Sequence, residues 1–209
     1  MKMKFITLWL SLICILFFII QSIIPGFTDA LILNQSSLFQ PWRFLTSIFL
    51  HGSLLHLVSN LFALILFGFI LEKLIGSARF LAVFFVSGIF ANIISFNFYP
   101  SSLGASGAIM GIIGCLAIIR PMMTVLAFSL PMPMFIAAIL WILGDIFGVF
   151  SPDEIGHIAH LSGILFGAIF GIVFRIRRRY AGNKLAIQRK INIPEDYMRN
   201  WERIYMNFK

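Results

Sequence analysis

The octapeptide Gly104-Ala105-Ser106-Gly107-Ala108-Ile109-Met110-Gly111 places a serine between glycines at the start of an apolar segment. Glycines on both sides let other backbone approach Ser106 closely. Gly107 and Gly111 also form a G-x-x-x-G pair, a spacing that brings membrane helices together. The octapeptide alone leaves two interpretations open. It is a helix-packing motif whose serine only fills space, or it is the setting of a reactive serine.

The composition predicts an integral membrane protein. Of 209 residues, 60% are hydrophobic and only 11% are charged, whereas roughly a quarter are charged in soluble domains. Long apolar runs predict helices rather than the alternating strands of a barrel. We interpret the net charge of +8 as membrane topology and not as nucleic-acid binding. Cys14 and Cys115 both lie inside apolar runs and indicate neither a disulfide framework nor a zinc site.

Successive apolar segments predict an all-α protein with six transmembrane helices. The first segment is followed by no cleavage motif, so we expect it to remain as a helix. The mixed polar and apolar stretch 27–50 is typical of a half-immersed loop, with Trp42 at headgroup level. Prolines make 122–133 an expected extended link. The predicted segments are about 5–24, 53–74, 80–98, 104–119, 134–150 and 155–176.

The charges predict the orientation. Six spans place both termini on one side, and if that side is cytoplasmic, every Lys and Arg except Arg43 lies there. This distribution agrees with the positive-inside rule. We therefore expect a membrane domain over 1–176, a basic cytoplasmic tail over 177–209, and both termini in the cytoplasm. The acidic residues expected on the outer side are Asp29, Asp145, Asp153 and Glu154.

The segment that begins at Gly104 is short for a spanning helix. Its length of about 16 residues corresponds to roughly 24 Å, while the hydrocarbon core is about 30 Å thick. A helix that enters from outside and is this short starts below the outer surface. Irregular backbone at that depth requires surrounding protein or water. We therefore expect Ser106 in a sunken, water-filled cavity, at a helix N-terminus suited to a developing oxyanion.

Polar residues of other segments are expected at the same depth. His56 and Asn60 share one face of the second segment because they are four residues apart. His157 and His160 lie in the first two turns of the last segment. A single intramembrane polar residue often only forms a hydrogen bond between helices. Several at one depth around a serine indicate a functional site.

Glycine faces are expected to bring a histidine to the serine. Gly163, Gly167 and Gly171 give the last segment a repeated G-x-x-x-G face, which can pack against Gly107 and Gly111. Since His160 is one turn before Gly163, this packing predicts a serine–histidine pair. Asp145 and Asp153 are expected on the outer-loop side, and Glu72 is expected at the inner end of the second segment. The sequence therefore predicts a dyad without a carboxylate.

Taken together, these motifs resemble the rhomboid family of intramembrane serine proteases, in its minimal prokaryotic form. The resemblance extends over about 5–176 and excludes the tail, and it implies a prokaryotic inner-membrane location with the active site opening outward. The motifs that carry it are Trp42-Arg43, His51, His56-x-x-x-Asn60, Gly104-Ala105-Ser106-Gly107 and Ala159-His160-Leu161-Ser162-Gly163 with Gly167.

The resemblance implies a role for each matching residue. Ser106 would be the nucleophile and His160 the general base and acid. His56 and Asn60, with the backbone N–H of Ser106, would stabilise the oxyanion. The residues with implied structural or site-supporting roles are Trp42 and Arg43 in the first loop, His51, Glu72, Gly104, Gly107, Met110, Gly163 and Gly167.

Two residues qualify these roles. Met110 stands where the family often has an aromatic residue that stacks on the histidine, although a thioether can still pack against the ring. His157 lacks the glycine three residues later that His160 has, which makes it the weaker candidate for the base.

The resemblance implies transmembrane protein substrates, a lipid bilayer environment, no cofactor and no nucleic-acid partner. Three alternatives remain at this stage. One is a non-catalytic relative that binds membrane clients, although such relatives typically lack the serine or the histidine. Another is a metal site built from His157, His160 and His56, for which no H-E-x-x-H motif exists. The last is a small transporter, which lacks paired repeats and a midplane charge. The sequence indicates neither the substrate nor the oligomeric state.

Overall fold

A computed structural model describes residues 4–151, 153, 155–191, 199, 200 and 203 of the chain. Glu154 and the part of the predicted tail at 192–198 therefore lie outside the described residues. The chain divides into two compact units, Met1–Ile172 and Val173–Lys209. The described residues are mostly helical, as predicted. The helices are α1 (Ile6–Ile23), α2 (Phe27–Leu31), α3 (Arg43–Thr46), α4 (Leu54–Ile75), α5 (Ser77–Ser95), α6 (Ser106–Ile119), α7 (Met134–Gly148) and α8 (His157–Ile191).

Four described helices are long and apolar enough to cross a membrane, namely α1, α4, α5 and the His157–Arg177 part of α8. The apolar helices α6 and α7 are shorter, with 14 and 15 residues. Large apolar side chains on the outer faces of these helices are exposed, among them Trp9, Phe62 and Leu165. Such faces are stable against lipid and not against water. Each predicted apolar segment corresponds to one of these helices, with ends that differ by a few residues except that α8 continues to Ile191.

Glu72 fastens the start of α1 to the end of α4. It is completely buried, and its two carboxylate oxygens accept four hydrogen bonds, each 2.6–3.0 Å long. The donors are the backbone N–H groups of Ile6 and Thr7 and the hydroxyl groups of Thr7 and Ser77. A buried carboxylate is tolerated because these donors replace its water. The structural role expected for Glu72 agrees with these contacts.

The loop between α1 and α4 is ordered by a buried arginine. The guanidinium of Arg43 donates to the carbonyl oxygens of Asp29 and Ile32, at 2.6 and 2.8 Å, and to the side chain of Gln40. Trp42, next to it, is half exposed. The two-residue strand β1 (Leu33–Asn34) of this loop pairs with β2 (Ser101–Ser102), just before α6. The loop is thereby held to the chain segment that leads into Ser106.

The link between α6 and α7 is a β-hairpin. The strands β3 (Thr124–Ala127) and β4 (Leu130–Pro133) are antiparallel, and Phe128 and Ser129 turn the chain with positive φ angles. The sequence predicts an extended link here, and the structure adds the pairing of its two halves. Both strand prolines lie in β4, where a missing N–H is tolerated because β4 is an edge strand.

Helix α7 buries only five of its fifteen residues. Its buried residues are Met134, Ala137 and Ala138 near one end and Asp145 and Gly148 near the other. Most of its remaining large side chains are exposed. Asp145, which was expected on the outer-loop side, is buried and faces the protein interior.

Candidate active site

Ser106 is the first residue of α6. Gly104, two residues earlier, has a φ of +124°, a conformation that side chains other than glycine rarely adopt. The N–H of Gly104 donates to the carbonyl oxygen of Ser47 at 2.9 Å, which fixes this turn to the first loop. The first N–H groups of a helix have no partner within the helix and carry its positive dipole end. Ser106, which is half buried, thus stands at a position that favours negative charge.

Helices α6 and α8 pack backbone to backbone, as their glycines predict. A Cβ on Gly163 would collide with the carbonyl group of Gly107, and a Cβ on Gly167 would collide with that of Gly111. Next to the serine, a Cβ on Gly107 would lie 3.5 Å from the carbonyl oxygen of Ala159. The residue after Ser106 therefore opposes the residue before His160. A hydrogen bond between Ser106 and His160 remains a prediction.

His56 of α4 lies against the same turn. A Cβ on Gly104 would be 2.8–2.9 Å from the imidazole of His56 and 3.9 Å from the hydroxyl of Ser106. The absence of a side chain at Gly104 thus leaves room for the imidazole beside the serine. Residues of α4, α6 and α8 therefore converge at one place.

Asn60 and His51 make other contacts. The side-chain amide of Asn60 donates to the carbonyl oxygen of His56 at 2.8 Å, within α4. The ring of His51 is completely buried, 5.1 Å from the ring of His56 between centroids, and its Nδ1 bonds the carbonyl oxygen of Phe49. Burial, with the nearby His56 as a second cause, lowers the pKa of His51 to about 4. His51 is therefore neutral at physiological pH, which fits a structural role.

A carboxylate contacts His160, where none was expected from the sequence. Oδ1 of Asp145 lies 2.9 Å from Nδ1 of His160, and only 6% of Asp145 is exposed. Because an ionised carboxylate only accepts hydrogen bonds, the His160 tautomer that fits this contact has its hydrogen on Nδ1. The free Nε2 is then the nitrogen able to take a proton. This contact was not predicted from the sequence, because Asp145 was expected to face the outer-loop side rather than the protein interior.

The same carboxylate oxygen binds His157. Its Nδ1 lies 2.7 Å from Oδ1 of Asp145, and its Nε2 lies 3.2 Å from both oxygens of Asp153. A Cβ on Gly148 would collide with this ring, so the end of α7 rests directly on His157. The backbone N–H of Ile155, followed by the contact with His157, lowers the pKa of Asp153. His157 therefore joins two carboxylates and shares Oδ1 of Asp145 with His160.

The set Asp145, His157 and His160 differs from the metal site considered from the sequence, which used His56. One ligand atom from each residue lies within 4.8 Å of the others. These atoms are paired with one another at hydrogen-bond distances. Hydrogen bonding therefore accounts for the arrangement without an ion.

Met110, the other residue singled out in the sequence, is buried in α6 one turn after Ser106.

Comparisons with known proteins identify the family. The model of the Rhomboid domain family matches residues 38–177, which include every candidate residue described above. The chain is an integral, multi-pass membrane protein, and it belongs to the rhomboid family. It is 29% identical over 181 residues to the rhomboid protease GlpG of Haemophilus influenzae, covering 80% of this chain and 90% of that protein.

Other relatives are longer than this chain. The rhomboid protease GluP of Bacillus subtilis is 39% identical over 128 residues, which cover 61% of this chain and 25% of GluP. RHOMBOID-like protein 1 of Arabidopsis thaliana is 30% identical over 141 residues, which cover 66% of this chain and 36% of that protein. The chain therefore spans a quarter to about a third of these two relatives.

Proposed function

We propose that this protein is an intramembrane serine endopeptidase that cleaves transmembrane segments of other membrane proteins. The observation that carries the proposal is the glycine contact between α6 and α8. Gly107 opposes Ala159 and Gly163, so the chain positions on either side of this contact are Ser106 and His160. The relatives named GlpG and GluP are rhomboid proteases, which supports the same activity.

In the proposed mechanism, Ser106 attacks the substrate carbonyl carbon and His160 accepts the hydroxyl proton. The negative charge on the carbonyl oxygen is stabilised by the N–H of Ser106 at the start of α6 and by His56 and Asn60. His160 then donates its proton to the leaving amine, which gives an acyl-enzyme on Ser106. Water hydrolyses this ester with His160 again as the base, and the serine is regenerated.

The proposed topology has six crossings, made by the four long helices together with α6 and α7, and both termini in the cytoplasm. Because α6 has 14 residues, or about 21 Å, Ser106 would lie below the outer surface of the bilayer. Cleavage would then occur near the outer end of a substrate helix. A helix protects its carbonyl groups by its own hydrogen bonds, so substrates with helix-destabilising residues near the cut are expected.

Substrate entry is proposed to occur past α7. Few buried side chains hold this helix, and none of its residues between Ala138 and Asp145 is buried. Among the described residues, the side-chain hydrogen bonds recorded for α7 are those of Asp145. A helix held by so few contacts separates from its neighbours at lower cost than one with a large buried face.

Active-site labelling tests the proposal. The purified protein in detergent is treated with a fluorescent fluorophosphonate and, in liposomes, with a single-span substrate protein. We expect labelling and cleavage, both lost in Ser106→Ala and reduced at least about a thousandfold in His160→Ala. Cleavage that survives in Ser106→Ala, or that is abolished by a chelator, would contradict a serine mechanism. A wild-type protein that binds the substrate without cleaving it would favour the client-binding alternative.

A further inference from the structure

From the contact between α7 and α8 we infer that Asp145 is a positioning residue that turns the Ser106–His160 pair into a triad. The inference rests on the proposed function and adds to it a carboxylate that the sequence motifs do not contain. Oδ1 of Asp145 accepts a hydrogen bond from Nδ1 of His160 at 2.9 Å. A carboxylate in this position fixes the tautomer and the orientation of the imidazole, and it stabilises the imidazolium that forms during attack.

The surroundings of Asp145 suit this role. The side chain is buried, so water does not weaken its interaction with His160. His157 donates to the same oxygen at 2.7 Å, and a carboxylate oxygen has lone pairs for two donors. Asp153 faces the other nitrogen of His157. The carboxylate is thus held by His157 while it orients His160.

The position of Asp145 in the chain also links catalysis to α7. Ser106 and His160 belong to α6 and α8, which are fixed by direct glycine contacts. Asp145 belongs to α7, whose buried contacts are few. The triad is therefore complete only while the end of α7 that carries Asp145 is docked on α8. A substrate that displaces this end of α7 on entry would meet a fully oriented His160 only after α7 has returned.

Labelling kinetics separate this role from a structural one. The maximal rate constant and the half-saturating concentration of fluorophosphonate labelling are measured for Asp145→Asn, which preserves the size of the side chain. We expect the maximal rate constant to fall at least about tenfold, with little change in the half-saturating concentration. The matched control is Asp29→Asn, at an exposed position of α2 away from the site, and its labelling should stay within about twofold of wild type.

The tautomer of His160 is a second readout, and a packing defect alone would not change it. In protein labelled with ¹⁵N-histidine, we expect wild-type His160 to carry its hydrogen on Nδ1. In Asp145→Asn, the amide can donate to Nδ1, so the hydrogen moves to Nε2. Assignment uses single histidine substitutions among the four histidines of the chain.

Three results would overturn the inference. These are a hydrogen on Nε2 of His160 in the wild type, an unchanged tautomer in Asp145→Asn, and an unchanged maximal labelling rate in that variant. The tautomer seen in the wild-type spectrum tests the inference even if Asp145→Asn does not fold. Failure of the proposed function is distinguishable, because wild-type labelling that persists in Ser106→Ala contradicts the nucleophile, whatever Asp145 does.

Discussion

Asp145 on α7 and His160 on α8 are joined by a 2.9 Å contact between Oδ1 and Nδ1, fifteen residues apart in the chain. His157, one turn before His160, binds the same oxygen and also rests on Gly148. One end of α7 is thus attached to α8 through two histidines. The substitutions below test this attachment and the other contacts that shape the site.

Gly148→Ala should loosen the attachment of α7 to α8. The new Cβ would collide with the ring of His157, so either the ring or the end of α7 must move. We expect slower fluorophosphonate labelling and faster cleavage of α7 at its Gly148 end by an added protease. Gly144→Ala is the matched control, since a Cβ there meets no atom within 4 Å. Equal behaviour of the two variants would show that this contact does not hold α7.

Gly167→Ala should destabilise the packing of α6 on α8. Its Cβ would collide with the carbonyl group of Gly111, and backbone cannot rotate away as a side chain can. We expect a clear fall in melting temperature in detergent, followed with a thiol-reactive dye because Cys14 and Cys115 are buried. Gly144→Ala should melt within a few degrees of wild type, and comparable losses in both variants would argue against backbone packing here.

Gly104→Ala should reduce activity by displacing His56. The Cβ would lie 2.8 Å from Cε1 of that ring, and the φ of +124° adds strain. Gly26→Ala separates the two effects, because Gly26 has a φ of +79° but no atom within 4 Å of its Cβ position. We expect both variants to lose stability and only Gly104→Ala to lose most of its labelling. Similar labelling in both would place His56 outside the reaction.

His56→Ala should lower the maximal cleavage rate about a hundredfold to a thousandfold with little change in substrate binding, as expected for the loss of an oxyanion donor. Asn60→Ala should have a smaller effect, because one of the two amide hydrogens of Asn60 already bonds the carbonyl oxygen of His56. Steady-state cleavage kinetics in liposomes distinguish the two. A larger loss in Asn60→Ala would reverse the assignment.

Glu72→Gln should destabilise the protein without altering the chemistry. An amide replaces one of the two oxygens that accept from Ile6, Thr7 and Ser77, so a buried donor loses its partner. The expected cost is about 1–3 kcal/mol in the free energy of unfolding. Lys73→Gln, at the exposed neighbouring position, is the control and should leave the melting temperature unchanged. A shared decrease would instead indicate a general effect of charge at this end of α4.

Much of the fold follows from periodicity and composition. Long apolar runs produce helices because every backbone polar group must be satisfied in lipid, and the glycines at Gly107, Gly111, Gly163 and Gly167 indicate which helices meet. The hairpin in 124–133 is not predictable in the same way. Its pairing is local, with Ala127 opposite Leu130, but the turn residues Phe128 and Ser129 are not the Asn-Gly or Asp-Gly pair that marks such a turn in a sequence.

The octapeptide around Ser106 and the motif around His160 identify the family and the candidate nucleophile and base from sequence alone. Residue types at short spacing suffice for this because each motif is a short, continuous stretch of the chain. These motifs do not identify Asp145. It lies in an apolar stretch near a loop, and its position in the chain gives no sign that it faces inward. Only the packing of α7 on α8 brings its carboxylate to His160. A hydrogen bond depends on the distance and direction between two atoms, and the positions of two residues in the chain do not determine either.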